Sequence, residues 1–173
     1  QLNLMDSHDM PRFLSMVSGN KDVFRLATLF QMTYPGAPCI YYGNEIGMIG
    51  GREPENRAVF PWDESQWDHE LRNAFKTYAH IRLEHPVLRT GEYVPVFAEG
   101  RHLAFIRHME GQHMLVAINA GNSPWDLDIP VADHFGDGVV LDDLLNGDGG
   151  VVEEGHFRKR TLNPMQGAIL KPK

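Results

Sequence analysis

Asp6, His8, Asp9 and Arg12 crowd into the stretch Gln1-Leu-Asn-Leu-Met-Asp-Ser-His-Asp-Met-Pro-Arg12. A carboxylate, an imidazole, a second carboxylate and a guanidinium so close together are the groups with which a chain binds polar ligands and moves charge. Leu2 and Leu4 alternate with Asn3 and Met5 as in a strand, and Pro11 ends any continuation of its hydrogen-bond ladder. The ionisable group therefore sits at a strand's end, where this chain's chemistry is expected to start. The competing reading is an Asp/His/Arg loop that only caps the next element.

Elements able to position these residues follow in order. Asn20 predicts an N-cap for a helix over 21–34, with Val23, Leu26, Ala27, Phe30 and Tyr34 on its inner face and Pro35-Gly36 as the stop. The short apolar run Pro38-Cys-Ile-Tyr-Tyr-Gly43 predicts a strand buried on both faces. Residues 43–63, rich in glycine, proline and charge, form a long loop, and loops of that length are usually functional or disordered. Trp67-Asp68 starts a second helix to about Glu84, with Leu71, Ala74, Phe75 and Tyr78 inward and His85-Pro86 at its end.

Beyond Arg89 the texture changes to short alternating segments broken by turn residues, the pattern of an antiparallel β domain. Strands are expected near 93–97, 102–108, 113–120, 125–129, 139–141 and 167–170. Glu110-Gly111, Gly121-Asn122 and Asn146-Gly147 supply turns. The expected division is 1–89 and 90–173. Two parallel strands and two helices cannot cover both faces of a parallel sheet. The first part therefore reads as the C-terminal portion of a (β/α)8 TIM barrel, which needs about 250 residues in all. The second reads as an antiparallel β-sandwich.

Composition narrows the function. With 173 residues, 42% hydrophobic and 23% charged, the chain is an ordinary globular sequence. A formal charge of −7 argues against nucleic-acid and anionic-membrane partners, which need a basic face. The single cysteine, Cys39, allows no intrachain disulfide, and its apolar neighbours predict a buried, unreactive thiol. No stretch approaches the roughly 20 apolar residues of a spanning helix. The chain opens directly on a core-like strand, so further chain upstream is expected. His102, His108 and His113 invite a zinc reading, but His102 and His108 are about 20 Å apart along one strand, and no metal is expected. Gly147-Asp-Gly-Gly150 lacks the lysine and helix of a phosphate loop and reads as a turn.

Four motifs in order, Ser7-His8-Asp9-Met10-Pro11-Arg12-Phe13, Pro35 through Met48, Gly50-Gly-Arg-Glu-Pro-Glu-Asn-Arg57 and Phe60-Pro-Trp-Asp63, resemble the α-amylase family of glycoside hydrolases. Within it, they look most like the neopullulanase, cyclomaltodextrinase and maltogenic amylase group. His85-Pro-Val-Leu-Arg-Thr-Gly91 resembles the family's passage from its last barrel helix to its C-terminal β domain.

The resemblance implies retaining cleavage by a carboxylate nucleophile, a carboxylic acid and a third, transition-state-stabilising carboxylate. Asp9 matches the third, and His8 matches the sugar-binding histidine beside it. An ionised acceptor on the hydroxyls of a developing oxocarbenium ion binds the transition state better than the substrate. The nucleophile and acid motifs have no counterpart here, so this chain alone is expected to be inactive. Glu53 and Arg57 match positions that contact sugars further along the substrate; the competing reading is a solvated ion pair. Arg12 would orient Asp9 or Asp6, or lie on the surface.

The implied substrates are α-glucan oligosaccharides with α-1,4 links: cyclomaltodextrins, pullulan or maltooligosaccharides. The implied partner is the upstream part of the barrel, and self-association is expected without it. Any calcium belongs upstream. Met10, Asn44 and Ala58-Val59 depart from the group's usual residues without touching His8 or Asp9. Rival readings are an α-1,6-glucosidase or trehalose-forming relative and a non-catalytic glucan-binding module. For the latter, Tyr93, Phe97, Phe105 and Trp125 could stack on sugars, although such aromatics more often form core.

Overall fold

The computed structural model describes residues 1–147 and 149–173. They form two compact units, Gln1–Met32 with Gly36–Leu83, and Thr33–Pro35 with Glu84–Lys173.

The first unit runs β1 (Leu2–Leu4), α1 (Phe13–Met16), α2 (Lys21–Thr33), β2 (Ala37–Cys39) and α3 (His69–Glu84). β1 and β2 are parallel, with Leu2 opposite Ala37 and Leu4 opposite Cys39. Asn20 caps α2 as expected, its Oδ1 accepting from the N–H groups of Asp22 and Val23 at 3.1 Å each. Asp68 caps α3 by accepting from Leu71 N–H at 3.0 Å, and its other oxygen meets Lys21 Nζ at 2.5 Å. One carboxylate thus ties the starts of both helices together. Gln31 Nε2 donates to Asn3 O at 2.7 Å and Cys39 O at 3.1 Å, satisfying one carbonyl from each strand.

Several expectations need correction in this unit. The buried side chains of α2 include Phe24, Leu26, Thr28, Leu29 and Met32, while Val23, Ala27, Phe30 and Tyr34 are half-buried. The helix packs on more than one side: Phe24 stacks on Phe13 and lies 5.8 Å from Phe75, within a core of Leu14, Met32 and Leu71. α1, which supplies Phe13 and Leu14, is too short for its periodicity to show. β2 is not buried on both faces and Cys39 is exposed. Leu2 and Leu4 are also open, at 67% and 49% exposure. The cause is common to all three: the two strands pair with each other, and no layer within this unit covers their far side. The 43–63 loop contains short 3-10 turns at Asn44–Ile46 and Glu55–Arg57, anchored by buried Asn44, Ile46 and Asn56.

The second unit opens with α4 (Pro86–Thr90), begun by the proline that stops α3. It continues with β3 (Glu92–Glu99), β4 (His102–Met109), β5 (Gln112–Asn119), β6 (Trp125–Asp126), β7 (Ile129–Pro130) and β8 (Val140–Asp143). Then come β9 (Gly150–Glu153), β10 (His156–Arg158), β11 (Thr161–Leu162) and β12 (Gln166–Pro172). The expected single strand over 125–129 is two short ones, and β9 to β11 are absent from the sequence expectation because each is four residues or fewer.

All pairing in this unit is antiparallel. Eight strands form one sheet in the order β3-β4-β5-β12-β8-β9-β10-β7, and β6 pairs with β11. The sheet curls, so that β3 (Val94, Pro95, Val96) and β7 with its exit (Pro130, Val131) line one cavity of about 260 Å³. The arrangement is barrel-like and consistent with the expected sandwich, its layers being continuous. Both rims carry a proline, Pro95 and Pro130, on edge strands, where a missing N–H is tolerated.

Inside lies a continuous apolar core that includes Ile106, Leu115, Trp125, Ile129, Leu141, Phe157 and Leu170. Trp125 and Phe105 are buried, as core aromatics should be. Gly111 and Gly147 take φ of +74° and +75° at two expected turns. The turn read over 147–150 also includes Asp148, which lies outside the described residues.

Candidate active site

The site begins where β1 ends. Asp6 is buried, and its two oxygens accept from Phe13 N–H at 2.7 Å and Asn44 Nδ2 at 2.6 Å. Holding the start of α1 close to the end of β1 forces the intervening residues outward as a loop. Asn56, itself buried, fixes that loop from the other side by donating through Nδ2 to His8 O at 2.7 Å and Met10 O at 3.0 Å. Ser7 Oγ accepts from Asp9 N–H at 3.2 Å. His8 and Asp9 consequently project side by side into solvent, with His8 Nε2 3.3 Å from Asp9 Oδ1 and side-chain exposures of 64% and 72%.

Arg57 completes a row of charges. Its Nη2 lies 3.5 Å from Asp9 Oδ1, its Nη1 donates to Glu53 Oε1 at 2.9 Å, and its Nε donates to His8 O at 3.0 Å. Glu53 and Arg57 do form the exposed ion pair of the competing reading, and the same guanidinium reaches Asp9. The row can accept hydrogen bonds at two carboxylates and donate them from an imidazole and a guanidinium. That is the donor–acceptor alternation vicinal hydroxyls require.

Arg12 occupies neither expected position. It is fully buried, donates to Tyr42 O at 2.7 Å and lies over the rings of Tyr41 and Tyr42 at 4.6 and 4.8 Å. No carboxylate among the described residues is paired with it, and its Nε and Nη2 have no hydrogen-bond partner. The fully buried side chain leaves Arg12 no direct access to ligand from this face. Burial first, and then neighbouring Tyr42, raise the Tyr41 hydroxyl above its usual range. That keeps it a neutral donor to Asn56 O at 3.3 Å.

Reading the sequence missed Asn44 and Asn56, whose amides hold the loop. The departure at Asn44 was the visible signal, since an amide donates to Asp6 where an aspartate would repel it. Also missed was an open groove of about 450 Å³ lined by Tyr42, Glu45, Phe60, Trp62, Trp67 and Arg72. Trp62 is 81% exposed and packs its ring 4.8 Å from Phe60. An exposed indole at the rim of a groove is a surface on which a sugar ring can stack.

In the second unit the three histidines weighed for zinc do not come together as one group. His102 stacks on Trp125 at 4.6 Å, away from the other two. His108 and His113, however, sit directly opposite each other on β4 and β5, and His134 joins them. Burial, and then the charges of His108 and His134, lower the pKa of His113.

The first unit thus carries a parallel β–α–β arrangement with an imidazole–carboxylate pair beyond its first strand, and the second is an antiparallel β unit. Residues 1–90 match the profile of the α-amylase catalytic domain, and residues 93–171 match the neopullulanase-like C-terminal domain. The chain belongs to the α-amylase family. It is 37% identical over 170 residues to neopullulanase 2 of Thermoactinomyces vulgaris, covering 97% of this chain and 28% of that one. To a cyclomaltodextrinase of a Bacillus species it is 42% identical over 119 residues, 68% of this chain and 21% of that one. The crystal structure of Ttha1563 from Thermus thermophilus superposes with a TM-score of 0.91 at 38% identity, covering 99% of this chain and 35% of that one. The chain spans about a quarter of the length of the curated relatives it matches. Among the described residues no helix is long and apolar enough to cross a membrane.

Proposed function

We propose that this chain is the C-terminal part of a retaining α-glucan hydrolase acting on α-1,4 links in cyclomaltodextrins, pullulan or maltooligosaccharides. In this reading β1, α2, β2 and α3 are the last β/α units of its catalytic barrel. Asp9 accepts hydrogen bonds from the hydroxyls of the distorted glucose ring, and His8 donates to a neighbouring one. Charge developing on the ring strengthens the Asp9 bonds in the transition state, which lowers the barrier rather than tightening substrate. Glu53 and Arg57 hold the adjoining sugar and keep Asp9 oriented. Nucleophile and general acid come from upstream chain, which also covers Leu2 and Leu4.

The observation that carries the reading is the His8–Asp9 pair, open to solvent and 3.3 Å apart beyond the C-terminal end of a parallel strand, where barrel enzymes keep their chemistry. Exposure of the strand face that carries Leu2, Leu4, Ala37 and Cys39 supports a missing barrel partner.

Asp9→Asn in the full-length enzyme is expected to lower kcat by about 10²–10³ with little change in KM. A variant as fast as the parent overturns the assignment. The 173-residue chain by itself is expected to leave maltodextrin and chromogenic glucosides intact, and measured turnover would refute the division of labour. Glucan titration before and after deletion of residues 1–89 separates this reading from a binding module, which would keep its affinity in the shorter form.

A further inference from the structure

His108, His113 and His134 come from three segments of the second unit. His108 is the next-to-last residue of β4, His113 faces it across the β4–β5 hairpin, and His134 lies in the turn after β7, where His134 and Phe135 N–H both donate to Val131 O at 2.9 Å. Ring centroids are 4.5 Å apart for His108–His113 and 5.6 Å for each of the other pairs. One ring nitrogen from each residue lies within 4.8 Å of the other two.

All three residues are half-buried, and Nδ1 of His108 and Nδ1 of His113 are buried with no hydrogen-bond partner. Buried ring nitrogens are normally satisfied, and an unsatisfied pair beside a third imidazole calls for a partner that accepts several lone pairs at once. A cation does so. Tetrahedral binding at about 2.0–2.1 Å from nitrogen places ligand atoms about 3.3 Å apart, so each ring must move inward by less than about 1 Å. Side-chain torsion alone supplies that.

We propose that His108, His113 and His134 form a three-imidazole site for a borderline divalent transition-metal ion such as zinc, its fourth position left to water or a small anion. Three nitrogen donors without a carboxylate or thiolate suit zinc, nickel or copper and discriminate against calcium and magnesium, which need oxygen. The ion would fasten the turn after β7, the last strand of the sheet, to the hairpin near its other rim, closing the curl. Its role is that of a clasp in this unit, independent of sugar chemistry.

The test titrates the metal-free 173-residue chain with zinc against a chromogenic chelator. One ion per chain with a Kd of about 10 μM or tighter is expected. His134→Gln, on a turn outside the core strands, should weaken binding at least as much as the about 10–100-fold that losing an outer-shell partner costs. His80→Gln, at an exposed position on α3, should leave affinity unchanged. Saturating zinc should raise Tm by several degrees in the wild type and not in His134→Gln.

Cobalt offers a readout that needs no variant: the wild-type complex should give the intense visible bands of a four-coordinate site. Absence of stoichiometric zinc binding, unchanged affinity in His134→Gln, or the faint spectrum of octahedral cobalt would each overturn the site.

Discussion

Arg12 in the first unit and Arg107 in the second are both fully buried, and they are satisfied in different ways. Arg107 donates to four carbonyls: Thr33 O at 2.6 Å, Leu88 O at 2.8 Å, Gly91 O at 2.7 Å and Glu92 O at 3.3 Å. It collects Thr33, the end of α4 and the start of β3, all of the second unit, around one planar cation, as a guanidinium's fixed fork allows. Arg12 has one carbonyl and two aromatic faces, with two nitrogens unpartnered. Asp143 in the second unit likewise uses both oxygens, on Leu145 and Ile169 N–H, Asn146 and Arg160. Arg107 and Asp143 thus spend their hydrogen-bonding capacity within the second unit, whereas Arg12 in the first leaves two guanidinium nitrogens unmatched. Among the described residues, the second unit's own unpartnered nitrogens are Arg160 Nε and the Nδ1 atoms of His108 and His113. The proposed upstream chain would cover the Arg12 donors and the open strand face.

The contrast can be broken by substitution, read through unfolding of the 173-residue chain. Arg107→Met should cost about 3–5 kcal/mol, because two buried and two part-buried carbonyls lose their donor at once. A loss under about 1 kcal/mol would show that the second unit's buried polar groups are not what hold it. Asp68→Asn should cost about 1 kcal/mol through the lost Lys21 pair and the lost negative charge at the start of α3, since an asparagine oxygen can still cap the helix.

That second effect has a defined pH dependence. Desolvation raises the Asp68 carboxyl, but hydrogen bonds from Lys21 and Leu71 outweigh it and hold it below the ordinary aspartate value. Its contribution is therefore complete above the unfolded pKa of about 4 and disappears as pH falls through the lowered folded value. The gap between wild type and Asp68→Asn should close in that acid window, and a gap growing on acidification would contradict the assignment.

Arg12→Met should fall within about 1 kcal/mol of neutral in this chain, since removing a buried, under-paired charge relieves desolvation as it gives up one bond. Smallest of all, Asp9→Asn should change stability by no more than about 0.5 kcal/mol, as expected of an exposed carboxylate. The same substitution is the one expected to slow the full-length enzyme most.

Much of this was legible in order. Asn20 and Asp68 announced their helices because capping is a local interaction between a side chain and the next turn's N–H groups. The hairpin glycines did the same for β4 and β5. Cys39 was misplaced because burial of a parallel strand is decided by layers outside the strand itself. His8 and Asp9 were found because they are adjacent, while Asn56, 48 residues from His8, acts only through the tertiary fold. The histidine triad was hidden for a related reason. Counting along one strand separates His102 from His108, but hairpin register places His108 opposite His113, and His134 arrives from beyond β7.

Pro95 and Pro130 have a consequence for the second unit in crowded solution. A foreign strand seeking to dock along either free rim meets a gap in the row of N–H groups where the ladder should continue. Each edge strand of the curled sheet thus has one residue with no N–H to give to a chain-to-chain ladder.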